Sequence, residues 1–479
     1  MALSELPPAH DEGGEPGAEP PLIRTPPPGA MSRAWMQRLQ GVDAPWTEAR
    51  RQRRVELTGL DQSPIVLSSA KGSNLFDLDG NRYVDLAAAF GACLLGHGNS
   101  RVQRTLEMQS ERVVFGLGDV FPSDAKIGLT ERLSRLFPEP GARVMLGSSG
   151  ADAVDAALKT ALLSTGKPGI LAFHGGYHGL STGPLAACGL RPEFRAPFTP
   201  HLSPHVRFVD FPRKPRAGET VRPDFLDLHL AAIDKELASG DIGAVLIEPV
   251  QGRAGVVIPP DGFLEGLRAL CDRRSALLIV DEIWTGLGRC GAMVRSLDQG
   301  VVPDLICLGK GLGGGLPISA CIGRASVMEG WRKPRAQQPA GDDDQQAFSG
   351  EAIHTSTHAG NPLACAAAIA VLDSVIGTKL AQRAKDEGAA LLAALTDACD
   401  EPELKVREVR GVGMMIGIEV EGGAARGLGL ARDLLMKGYV VLTGGAGDVL
   451  TLTPPLNVAR PLLDAFVETF VELARMRAV

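Results

Sequence analysis

The amino-acid sequence predicts an α/β protein with a mostly parallel central sheet flanked by helices, followed by a separate α+β domain. Three observations predict it. Short apolar runs bounded by turn residues, GILAF at 169–173, GAVLIEPV at 243–250, LLIV at 277–280 and LICL at 305–308, have the continuous hydrophobicity of strands buried on both faces. Helical stretches alternate with these runs, as βα units require. After the alanine-rich helix that follows Pro362, the pattern changes to helix, strand pair and helix.

Taken in order, residues 1–30 are rich in Pro, Gly and Glu, cannot bury enough apolar surface to offset their ordering entropy, and are expected to be disordered. No basic region leads into an apolar core there, so no secretory signal is visible. A helix is expected within Met31–Arg54, then short strands from Ile65 with Asp79-Gly80 as a hairpin turn. Helices follow over 101–113 and 123–136, and a strand over 142–146. Small residues Gly147 to Gly150 then open the helix ADAVDAALKTALL, where backbone N–H groups and the macrodipole can meet an anion. Residues 190–224, rich in Pro and Arg, read as a long surface loop. A helix at 227–240 and one at 263–274 flank the strand that ends at Glu248-Pro249. The polar stretch 333–347 reads as mobile. Beyond the alanine-rich helix come strands near 405–410 and 414–420, a helix over 428–437, and a final helix from Pro461.

The 49 basic and 56 acidic residues give a net charge of −7, which argues against a nucleic-acid or acidic-membrane binder and for a small-molecule partner. Eight scattered cysteines, several in apolar runs, are those of a reduced, cytoplasmic protein. No apolar run approaches the roughly twenty residues that span a bilayer.

The candidate chemistry lies at strand ends. LLIV ends in Asp281, and LICL is followed by Lys310. In open α/β sheets ligands sit outside the carboxyl ends of strands, so the two side chains are expected in one crevice. A lysine and a buried aspartate together can hold pyridoxal phosphate, the amine as a Schiff base and the carboxylate as partner of the pyridine nitrogen. Tyr177, in the glycine-rich loop HGGYHG, is placed to stack on a flat ring. Two other readings compete. Gly309, Gly311 and Gly314 fit a dinucleotide fingerprint, with Glu329 as its acid, but Leu316-Pro317 leaves no room for the helix that should receive the pyrophosphate. His174 with His178, and His354 with His358, stand four apart, yet neither pair has a helical pattern or a third ligand nearby, and no metal is expected.

With these pieces in order, the chain resembles the class III, or ω-amino-acid-type, pyridoxal-phosphate aminotransferases of fold type I. The resemblance runs from about Ile65 to the last helix. It is carried by LFDLDGNRYVDL, LGHGNS, SSGADAVDAALKTA, YHG, IEPVQG, VDEIWTGLGRCG, PDLICLGKGLGGGLP and THAGNPLACAAA, and by the 29-residue separation of Asp281 and Lys310. It implies a large cofactor-binding domain over 101–355 and a small α+β domain formed by 31–100 with 356–479. It also implies that Lys310 carries the internal aldimine and Asp281 pairs with the ring nitrogen. Ser149, Gly150 and Ala151 would hold the phosphate; Tyr177, His178 and Ile283 would hold the ring. Thr357 would reach the phosphate of the neighbouring subunit, making a homodimer with shared sites. The implied activity moves an amino group from a primary amine or amino acid to a 2-oxo acid. Racemases, epimerases and aminomutases share the motif set and are the alternative.

The sequence departs from the pattern in places. Leu180 and Thr451 stand where relatives acting on 4-aminobutyrate or ornithine carry carboxylate-holding arginines. Arg253 replaces the glutamate that often follows EPVQG, and Trp284 replaces a glutamine that bonds the cofactor's phenolic oxygen. Arg253 and Glu248 are the candidate substrate residues.

Overall fold

The computed structural model describes residues 17–477, excepting 117, 119, 217 and 333–352. Residues 1–16 and the polar stretch 333–347 therefore lie outside the described residues. The chain begins with helices α1 (Ala30–Gln40) and α2 (Pro45–Thr58). Proline at the first turn of α2 sacrifices no hydrogen bond, and Gly59 at φ +66° ends the helix by donating its N–H to Val55 O. Strands β1 (Leu67–Lys71), β2 (Asn74–Asp77) and β3 (Arg82–Asp85) form an antiparallel meander. At its Asp79-Gly80 turn, Asp77 Oδ1 accepts the N–H groups of Asp79 and Asn81.

The expectation of disorder through residue 30 is corrected for residues 17–29, which lie along this meander. Leu22 and Arg82 exchange backbone hydrogen bonds of 2.9 Å. Asn81 Oδ1 accepts from Arg24 N (2.8 Å) and Thr25 N (3.0 Å), and Asn74 pairs with the backbone of Glu19. Composition did not reveal this order, because the partners that supply it come from a distant part of the chain.

The central layer contains α3 (Ser100–Ser110), α4 (Asp124–Ser134), β4 (Arg143–Gly147), α5 (Gly150–Thr165), β5 (Gly169–Phe173), β6 (Val206–Val209), α6 (Phe225–Leu237), β7 (Ile242–Ile247), α7 (Phe263–Arg274), β8 (Leu277–Asp281), β9 (Leu305–Leu308) and β10 (Ser319–Gly323). Side-chain caps from Asn99, Ser123 and Ser149 start α3, α4 and α5. The seven strands run in the order β4-β10-β9-β8-β7-β5-β6, and only β10 is antiparallel to its neighbours. Successive residues of β8 serve opposite faces: Ile279 packs with Ala153, Ala157 and Leu246, whereas Leu278 and Val280 pack with Phe263 and Leu267. Both faces are covered, which is why the strand sequences read as unbroken apolar runs.

The remaining elements are α8 (Pro362–Gly377), α9 (Leu380–Ala398), β11 (Val406–Val412), β12 (Met415–Val420), α10 (Gly423–Met436), β13 (Tyr439–Val440), β14 (Leu442–Gly444), β15 (Val449–Leu452) and α11 (Arg460–Met476). The largely buried α8 packs on α3 and α4. Strands β11, β12, β15 and β14 form a sheet covered by α9, while β13 pairs in parallel with β3 and so adds a late strand to the meander near the start of the chain. Among the described residues no single helix is long and apolar enough to cross a membrane.

Asn81 is fully buried, and its Nδ2 also donates to Asp77 Oδ2 (2.8 Å) and Tyr83 Oη (3.1 Å). Asn81→Ala leaves these groups unpaired and is expected to lower the free energy of unfolding by about 2–3 kcal/mol. Hydrogen exchange at the amides of Arg24 and Thr25 should quicken more than at Leu22; unchanged exchange there would show that Asn81 does not hold this segment.

Candidate active site

The carboxyl ends of β4, β9, β8, β7 and β5 lie along one edge of the sheet, and the candidate residues follow them. In the parallel pairing of β8 with β9, Asp281 lies opposite Cys307, three residues before Lys310. The Asp281 carboxylate is buried; Oδ1 accepts from Ile283 N at 3.0 Å, and Oδ2 is 2.8 Å from Nδ1 of the equally buried His178. Since the carboxylate can only accept, His178 donates from Nδ1, and its Nε2 is buried and has no partner among the described residues.

After extended Gly309, Lys310 turns at φ +41° into a single 3₁₀ turn, Lys310–Gly313. No helix follows, so the glycines after β9 do not form a dinucleotide fingerprint. Lys310 Nζ sits 4.2 Å from the centroid of the Trp284 ring. Burial lowers the amine to about 8, against the opposing pull of Asp281 and Glu248, and Arg253 adds to the lowering. Trp284 is wedged between two glycines: a Cβ on Gly252 would lie 2.3 Å from its ring, and one on Gly91 2.6 Å from Nε1. Its indole N–H is buried and unpartnered among the described residues.

Glu248, at the end of β7, was expected to meet substrate. In the structure its carboxylate is buried and meets backbone. Oε1 accepts from Tyr177 N (2.8 Å) and Oε2 from Gly252 N (3.1 Å), so both oxygens are engaged by backbone. Burial raises its carboxyl to about 7; His178 and the two amides oppose that rise, and Asp281 adds to it. Glu248 thus ties the loop after β5 to the turn after β7. These carry Tyr177 and Arg253, whose guanidinium lies 4.8 Å from the Tyr177 ring centroid. His174, the other histidine of the loop, is stacked on Phe208 at 5.6 Å.

At the start of α5, Ser149 Oγ accepts from Asp152 N, and the Asp152 carboxylate accepts from Ser148 N and Ser149 N. The next two amides, Gly150 and Ala151, have no intrahelical acceptor and are open to an anion. Gly150 admits Ile283: a Cβ there would stand 2.8 Å from Ile283 Cδ1. Gly179, at φ +114°, closes the Tyr177 loop onto Ala151. Thr357 is not gathered into this cluster. It is exposed ahead of α8, where its neighbour His358 meets Phe115 at 5.2 Å between ring centroids.

A buried carboxylate, a lysine of lowered basicity and amides at a helix start fit the pyridine nitrogen, aldehyde and phosphate of pyridoxal phosphate. Sequence reasoning missed the seat of Trp284 beneath Lys310 and the linking role of Glu248. Gly252, directly after VQ, was the available signal, since a close approach is what a glycine there permits.

The aminotransferase class-III family model matches residues 58–473. The chain is 36% identical over 411 residues to an acetylornithine aminotransferase of Methanopyrus kandleri, covering 86% of this chain and 94% of that one. It is 32% identical over 417 residues to a 4-aminobutyrate aminotransferase of Mycobacterium leprae, covering 84% and 88%. The structure is similar to that of a PLP-bound amine transaminase from an uncultivated Pseudomonas species, with a TM-score of 0.77, 28% identity, and coverage of 88% and 96%.

Because burial favours the neutral amine, Lys310 should be deprotonated at lower pH than a solvated lysine. In the cofactor-free protein its labelling by trinitrobenzenesulfonate, followed by peptide mass spectrometry, is expected to accelerate with pH and level off above about 8. Exposed lysines, with ordinary values near 10.4, should still be accelerating there. A Lys310 rate that climbs alongside theirs through pH 10 would contradict the lowered basicity.

Proposed function

The chain belongs to the class-III aminotransferases and is a pyridoxal-phosphate-dependent transaminase, and on that premise we propose how its own residues divide the work. Its substrates are an amine or amino acid and a 2-oxo acid. Its relatives are transaminases, which supports transamination and not the racemase, epimerase or aminomutase alternative. The observation that carries the division of roles is the pairing of β8 with β9, which sets a buried carboxylate and a weakly basic amine at neighbouring strand ends.

Pyridoxal phosphate, when bound, supplies the carbonyl carbon that takes the amino group and a ring that withdraws electrons from the substrate carbon. Lys310 would be the residue that holds that carbonyl carbon, and its Nζ, when free, would serve as the base that moves a proton at the substrate carbon. Asp281, fixed by His178 and Ile283 N, would face the ring nitrogen and favour its protonated form. Gly150 N, Ala151 N and the Ser149 hydroxyl would hold the phosphate. Tyr177 and Ile283 would cover the ring and exclude water, and Arg253 would meet the substrate from beside Tyr177.

The active unit in this proposal is a homodimer, with Thr357 completing the phosphate site of the partner. Met108, Phe115, Val120 and Phe121 are exposed apolar side chains, and Phe115 adjoins His358, so the face that carries Thr357 is one a second copy would cover. The eight cysteines are all buried and unpaired, which suits a cytoplasmic setting.

Lys310→Ala is expected to reduce transamination by about 10²- to 10⁴-fold or more, and to abolish the visible absorbance of lysine-bound cofactor. Asp281→Asn should keep the cofactor bound but lower kcat with little change in the donor's KM. Retention of activity in the lysine variant would refute the assignment. Sedimentation equilibrium of the holoenzyme should give a dimer, and Thr357→Ala should weaken cofactor retention without dissociating it; a fully active monomer would overturn the shared site.

A further inference from the structure

Beside the Arg253 turn lies a cavity of about 360 Å³ between α2, α10 and β14, and its lining is strongly one-signed. Arg50 and Arg54 of α2, Arg253 and Arg432 of α10 line it, and no Asp or Glu does. None of the four guanidinium groups forms an ion pair among the described residues. Arg432 spends one nitrogen on Pro27 O and leaves Nη1 buried and unpartnered. Asp61, the carboxylate whose charge acts most on Arg432, also faces Arg33 at 3.8 Å. Burial lowers Arg54, and the charges of Arg50 and Arg253 push it the same way. Guanidinium groups gathered like this repel one another unless an anion joins them.

We infer that this cavity receives the distal end of the amine donor and that this end is a dianion, a phosphate-type group or paired carboxylates. One carboxylate is matched by one bidentate arginine. Four arginines around a single cavity match at least two negative charges. Arg253 links the cavity to the chemistry: it lines the cavity, its guanidinium lies 4.8 Å from the Tyr177 ring centroid, and its charge acts on Lys310. A linear donor with an amine at one end and a dianion at the other spans the two. The inference rests on the assignment of Lys310 made above and deepens it to a substrate class.

The test uses the holoenzyme and four donors of equal chain length: pentylamine and its terminal carboxylate, phosphonate and malonate analogues. At least one dianionic donor should exceed pentylamine in kcat/KM by about ten- to a hundredfold, and the comparison of phosphonate with malonate distinguishes the two kinds of dianion. Arg50→Glu, at an exposed position of α2, and separately Arg54→Gln should reduce that advantage by a similar factor through KM. Pentylamine should react as before. Raised salt should erode the advantage in the wild type. Equal rates for neutral and dianionic donors, a preference for the single carboxylate, or equal losses for all donors in Arg50→Glu would each overturn the inference. In those cases pentylamine still turns over and Lys310 keeps its role. Inertness of all four donors together with missing cofactor absorbance would overturn both.

Discussion

The parallel register between β8 and β9 is the constraint on which the site depends. Side chains alternate faces along a strand, and strand ends in an open sheet rise above the layer of helices. With Asp281 opposite Cys307, the carboxylate and the Lys310 turn emerge together at that edge. A slip of one residue would send the Asp281 carboxylate to the other face and replace an acidic neighbour of Lys310 with an apolar one. Burial of β9 and of all but the first residue of β8 resists such a slip, because the buried side chains would be moved into the wrong core.

Electrostatics then adjust what geometry has assembled. Burial works against the charged forms of Lys310 and Glu248; Asp281 and Glu248 oppose that effect at Lys310, and His178 with two backbone amides opposes it at Glu248, where Asp281 adds to it. Lys310 is left close to neutrality as an amine, which suits a group that must alternate between nucleophile and base. Glu248 is left close to neutrality as an acid while both its oxygens serve backbone donors. Its place in the structure is mechanical: it ties together two loops, one carrying Tyr177 and the other Arg253.

The legible parts of the sequence were those governed by local rules. LLIV and LICL announced buried strands, and Ser149 announced a helix start. Asp281 and Lys310 could be placed in one crevice because strand ends follow from strand sequences. The parts that could not be read depend on distant partners. Residues 17–29 look like a disordered segment by composition, yet Asn74 and Asn81 supply the hydrogen bonds that order them. Glu248 looked like a substrate ligand because only its position at a strand end was visible, not the amides that occupy it. The arginines of α2 acquire meaning only where α10 and β14 close around them, and Thr357 only where another copy is considered.

The parallel pairing of β3 with β13 has a consequence in time as well as in space. A ribosome delivers β3 early and β13 late, and nearly the whole central layer is synthesised in between. Domains generally fold as units during synthesis, so the central sheet, with Asp281 and Lys310 on its edge, can close while β3 still lacks its neighbour. The wall that α10 and β14 contribute to the arginine cavity arrives last. During that interval the nascent chain carries a reactive amine without the surroundings that select what reaches it, and its β3 edge is open to unintended strand partners.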